Sequence, residues 1–226
     1  MALASLLLLA DGRFPSGGHA HSGGAEASVG VGDVADLASL RAFVSGRLQT
    51  AGLVDAAFVA AVCGRCAESA PVPWGSFEAE YLARTGSPRV RHASRMLGRQ
   101  LLRGGRRAFP SLRADEAVAA LGTSIPQPIV MGLVAAAAGC SPAEAALCEL
   151  HHMVGSLTSA GVRLLGLDPF EIAAFGAELV PELERLAALA ATTADADPAD
   201  LPADVSFLND VLAEHHSTWE VRLFAS

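Results

Sequence analysis

The sequence predicts an all-α fold, and three observations predict it. About a fifth of its 226 residues are alanine, the best helix former. Helix start and stop signals recur along the chain. No run alternates apolar and polar residues, so no strand is predicted. We expect one domain over 1–226, of about eight to ten helices. The composition, 51% hydrophobic but only 5% aromatic, implies packing through small Ala and Gly contacts.

Each element follows from its local signals. The opening Leu6 to Leu9 run lacks a positive leader and meets Asp11 and Arg13 at once, so it reads as a buried helix turn rather than a signal peptide. Asp36 caps a helix whose Leu37, Leu40, Phe43, Val44 and Leu48 share one face. An Ala/Val-rich helix continues from Leu53 to Ala67, and Pro71, Pro73 and Gly75 break the chain. Pro88 opens a long basic helix expected to fade around Gly104 and Gly105. Ser141, Pro142 and Glu144 supply a cap, a first-turn proline and a capping-box acid. Asp168, Pro169 and Glu171 repeat that logic for a helix burying Ile172, Phe175, Leu179, Leu183 and Leu186. Residues 192–204 read as a mobile acidic loop, followed by a last helix near Ser206 and a tail over 217–226.

Charge is uneven. The net value is -8, yet residues 84–113 carry nine Arg and no acid. All 16 basic residues are Arg. Without Lys there is no Schiff-base chemistry and no phosphate-loop lysine, which excludes a GTPase or ATPase of the common kind. The apolar content excludes intrinsic disorder. Residues 117–143 are uncharged, but Pro126, Gln127, Pro128 and several glycines interrupt the stretch, so no membrane span is expected there. Four cysteines make no dense disulfide framework, and a cytoplasmic location is expected.

Several groups are chemical candidates. Residues 14–26 hold Pro15, Gly17, His19, His21, Ser22, Gly23, Gly24 and Glu26, read as a recognition loop entering a helix. His19 and His21 are weak metal candidates, joined by Cys148 and His151 in an alternative reading as a metal-binding carrier. A His21/Ser22 catalytic centre lacks an orienting acid. Cys63 and Cys66 have redox-like spacing but lie late in an apolar helix, which favours buried thiols. Arg91, Arg95, Arg99, Arg103 and Arg106 form a stripe. With no Lys and no stacking aromatics it fits carboxylates, in another protein or in the acidic C-terminal half, better than nucleic acid. Leu223 and Phe224 beside Arg222 form a candidate binding anchor in the tail.

Taken in order, these segments resemble the UreF family of urease accessory proteins, in its branch from high-GC actinobacteria. The likeness runs through Leu6 to Asp11, Phe14 to Gly17, and His21 to Glu26. It continues at Ser94 and Gly98, at Ser159 to Leu164, and at the ending Arg222, Leu223, Phe224, Ala225, Ser226. Ala25 stands where Leu is usual, and Leu165 to Pro169 replaces the Pro-Leu-Gly-Gln of many members. The resemblance implies an all-α homodimer that is not itself an enzyme and holds no tightly bound cofactor. It implies partners as well: the accessory protein UreD (UreH), the GTPase UreG, and apo-urease, into which the complex inserts nickel. Under that resemblance Arg222, Leu223 and Phe224 are expected to dock into UreD. Glu26, Arg163 and the Gly-rich loop are expected to shape the surface for UreG.

Overall fold

The computed structural model describes residues 2–18 and 21–224. Its α-helices are α1 (Ala2–Ala10), α2 (Ala25–Gly30), α3 (Leu37–Arg47), α4 (Leu53–Ala67), α5 (Trp74–Ala83), α6 (Pro88–Ala108), α7 (Leu112–Leu121), α8 (Gln127–Ala137), α9 (Pro142–Leu165), α10 (Pro169–Ala191) and α11 (Phe207–His216). A π-helical turn, Leu48–Gly52, joins α3 to α4 in one continuous run. Counted that way there are ten helices, and no strand occurs among the described residues.

The caps form where the sequence places them. Asp36 and Ser39 make a reciprocal capping box at α3, with Ser39 N donating to Asp36 Oδ1 at 2.8 Å. Ser141 and Glu144 do the same at α9, which Gly166 ends in the left-handed region at φ 65°. Asp168 accepts from Phe170 N at 2.8 Å to start α10. Each such cap contributes about 1 kcal/mol.

The core is built around α4. Residues 56–62 of that helix are fully enclosed, as expected for a helix apolar on every side. It packs against α8, α9 and α10. Phe58 supplies its aromatic centre, edge-on to Tyr81 at 5.3 Å and to Phe77 at 6.5 Å. Gly132 of α8 lets the two helix backbones meet: a Cβ there would lie 2.7 Å from both Val59 O and Val62 Cβ. The run Leu37–Ala67 is long and apolar enough by composition to cross a membrane, but 56% of its apolar window is buried inside the molecule.

Three local expectations need correction. The basic helix does not fade at Gly104 and Gly105 but continues to Ala108. Those glycines are contact points, Gly105 against Val134 and Gly104 against Pro15. The N-terminal helix is only half enclosed: Leu9 is buried, while Leu3 and Leu7 are 67% and 64% exposed. Residues 192–204, expected to be a mobile loop, are strapped to the body. Arg65 donates to Asp195 O at 2.9 Å, and Arg84 donates to the carbonyls of Ala199, Leu201 and Pro202, each at 2.9 Å. Pro198 and Leu201 are buried beneath.

Candidate functional site

The candidate residues gather where the last segment of the chain folds back on the Gly-rich loop. Gly23 and Gly24 both have positive φ, 62° and 95°, which turns the loop sharply into α2. Ser22 is fully buried beneath that turn, and its Oγ accepts from Glu26 N at 3.3 Å. Glu26 lies in the first turn of α2, where the exposed N–H groups favour an acid. Its side chain points inward and is 7% exposed.

Both carboxylate oxygens of Glu26 are engaged by the far end of the chain. Oε1 accepts from Leu223 N at 2.6 Å. Oε2 accepts from Phe224 N at 3.0 Å and is paired with His216 Nε2 at 2.9 Å. A buried carboxylate is retained when its oxygens are satisfied in this way, and each hydrogen bond to a charged group contributes roughly 1.5–3 kcal/mol. Phe224 is buried, and the Arg163 guanidinium sits 5.6 Å from its ring centroid. Trp219 packs edge-on against His216 at 4.8 Å, and the lack of a side chain at Gly30 gives its ring room. The clamped strip turns its other side outward: Val221 is 87% and Leu223 63% exposed, and Arg222 is exposed beside them.

Glu26, Arg163, Leu223 and Phe224, spread over nearly the whole sequence, are therefore one constellation. Glu26 is not a surface group as expected; it faces the tail. The recognition loop is likewise seated on the body. Pro15 lies on Gly104, Gly17 against Leu97 and Gln100, Gly23 against Leu157, and Gly24 against Asn209. His21 is half-buried, and burial lowers its pKa below the usual imidazole range. His19, Ala225 and Ser226 lie outside the described residues.

The other candidates stay apart. Cys148 is buried while His151, one turn on, is exposed. Among the described residues no three His, Cys, Asp or Glu side chains converge as a metal site would need. Cys63 and Cys66 are free thiols that burial pushes up to about 12, so both stay protonated at neutral pH. The basic stripe divides. Arg95 pairs with Glu78 at 2.9 Å and Arg91 donates to Leu82 O at 3.5 Å, whereas Arg99 and Arg103 face outward.

Sequence reasoning missed a polar cluster beneath this site. A cavity of about 710 Å³ between the loop, α6, α9 and α11 is floored by Asp55, Tyr81, Ser94, Gln127 and Glu149. Gln127 Nε2 donates to Glu149 Oε2 at 2.8 Å, and Gln127 N donates to Ser94 Oγ at 3.1 Å. Burial, aided by the charge of Asp55, raises Glu149 to about 8. Burial raises Asp55 to about 6 against the pull of Arg47. The available signal was an acid set among apolar neighbours beyond the capping residues, Asp55 in α4 and Glu149 in α9.

Comparison with known proteins agrees with the family resemblance. Residues 34–180 match the UreF family. The urease accessory protein UreF of Mycolicibacterium vanbaalenii is 41% identical over 225 residues, covering 100% of this chain and 99% of that protein. The UreF protein of Mycobacterium sp. strain JLS is 40% identical, covering 99% of each chain. That of Mycobacterium tuberculosis H37Rv is 37% identical, covering 100% of this chain and 99% of that protein. The chain belongs to the UreF family of urease accessory proteins, which assist an enzyme and are not enzymes themselves.

Proposed function

We propose that this chain is a scaffold for nickel insertion into apo-urease, with the clamped C-terminal strip as its UreD-binding element. One observation carries the reading: Glu26 and Arg163 hold Phe224 inward, so that Val221, Arg222 and Leu223 are presented outward in a fixed conformation. Pre-ordering an apolar anchor lowers the entropy cost of binding, and a Leu flanked by Arg is a suitable anchor pair. Glu26 thereby becomes a positioning residue for the tail rather than a direct contact.

With UreD bound, the assembly recruits and modulates the GTPase UreG, which supplies the nucleotide hydrolysis that a chain without Lys cannot support in the common way. Nickel is cargo of the assembly, which works in the cytoplasm with this chain as a homodimer. The isolated chain is expected to show negligible heat on calorimetric nickel titration. Tight stoichiometric binding would instead favour a metal carrier using His19 and His21.

Co-expression with UreD and UreG, followed by mass measurement of the intact complex, tests the reading. Leu223→Asp should lose UreD while melting like the parent, because Leu223 is 63% exposed and its change leaves the core alone. Deleting 217–226 should also lose UreD, but it strips the Leu223 and Phe224 N–H donors from Glu26 and so disturbs folding as well. Retention of UreD by Leu223→Asp would exclude the tail as the docking element.

A further inference from the structure

The outward face of α6 has no role in the clamp. At about 100° per residue, Arg89, His92, Met96, Arg99, Arg103, Arg106 and Arg107 fall within roughly one third of the helix circumference. No acid occurs in the helix. Some of this charge is already spent within the molecule: Arg106 pairs with Asp115 at 2.5 Å, and the Glu214 carboxylate, held by the backbone N–H of Arg89 at 3.0 Å, feels the charge of Arg89. Arg99, Arg103 and Arg107 are exposed, and no carboxylate of the described chain pairs with them. Arg99 reaches only Ser124 Oγ, at 3.3 Å.

These three stand at successive turns, about 6 Å apart along the axis. Like charges at that spacing destabilise a helix. The helix dipole accounts for cations in the last turn, where Arg106 and Arg107 lie, but not for Arg99 more than two turns earlier. The neighbouring flank of α6, at Leu97, Gln100 and Gly104, seats Pro15 and Gly17 of the Gly-rich loop. The row therefore borders that loop.

We propose that Arg99, Arg103 and Arg107 form a docking row for a carboxylate-rich surface of a second protein in the urease-maturation assembly. The proposal rests on the scaffold reading but not on the tail. Charge complementarity selects the occupant. Guanidinium groups bind carboxylates strongly, and Arg95 with Glu78 and Arg106 with Asp115 each make one such N–H contact on this same helix. Bases are not the match, because the face has no Phe, Tyr or Trp to stack on them and its one ring, His92, stands alone. Lipid is not the match, because Met96 is its only large apolar group. A second copy docked row to row is not the match, because that contact would set Arg against Arg.

The test is charge reversal within the co-expressed assembly of this chain, UreD, UreG and the urease subunits. R99E/R103E/R107E should lose one protein partner, with binding weakened about tenfold or more, and raised salt should do the same to the parent. R99K/R103K/R107K should weaken binding less. R99Q/R103Q/R107Q, with helicity checked by circular dichroism, keeps the test valid if reversal impairs folding. Full assembly by both the Glu and Gln variants at low and high salt would overturn the proposal. So would tight binding of the parent to a DNA duplex or to phosphatidylserine vesicles, lost in the variants, with the assembly untouched. Loss of UreD by Leu223→Asp with intact assembly of the Arg variants would overturn this row alone. The reverse pattern would overturn the tail and leave the row standing.

Discussion

Glu26 has both oxygens committed to groups that lie 190 to 198 residues further along the chain. A glutamine there keeps the shape but replaces one acceptor with a donor facing donors. Glu26→Gln should therefore lower stability by about 1–3 kcal/mol and speed hydrogen exchange at the amides of Leu223 and Phe224. An unchanged urea melt with unchanged protection would contradict the clamp. Glu26, Arg163 and the tail were legible as motifs, because each stands in a run of unusual residues. Their joining was not legible, since nothing local tells a carboxylate at 26 that its donors lie at 216, 223 and 224. Glu149 makes a second prediction. Burial holds its folded pKa near 8, above its ordinary 4.5, so the folded state keeps a proton that the unfolded state releases. Stability then falls as pH rises through that interval. His152, lowered to about 4 by burial, acts in the opposite direction, but only below about 6.5. Between pH 6.5 and 8 the parent should lose thermal stability, and Glu149→Gln, which still accepts from Gln127, should flatten that loss. A parallel decline in both would place the titration elsewhere.

Helices were the most legible scale, because capping is local chemistry. Asp36, Ser141 and Asp168 form the hydrogen bonds their positions announce. The errors arose where tertiary contact overrides local preference. Gly104 and Gly105 look like a helix stop in isolation, yet α6 runs through them because Pro15 and Val134 occupy the space a side chain would need. The Ala- and Asp-rich segment 192–204 looks unanchored until Arg65 and Arg84 are seen to hold its carbonyls. Small residues at helix crossings carry the corresponding prediction. Gly132→Ala should cost about 1–3 kcal/mol by overpacking α8 on α4, read as a lower urea midpoint. Gly139, which has open space around it but φ 81°, would be penalised through its backbone instead. An undisturbed midpoint for Gly132→Ala would mean the two helices separate more easily than their backbone contact implies.

At the scale of the whole molecule, the net charge of -8 averages over surfaces with different tasks. The acidic strap 192–204 is tied down by arginines, and part of the basic helix is spent on internal pairs. An Arg row on α6 and an apolar strip at the C-terminus stay outward. The scaffold proposed here would use separate patches of this kind for separate partners. The strip is the patch on which assembly depends in the proposed function. The most direct measurement is the affinity of purified UreD for the parent chain and for Leu223→Asp, with melting temperatures recorded on the same samples. At least about tenfold weaker binding with unchanged melting is predicted. Equal affinity for the two chains would contradict the account.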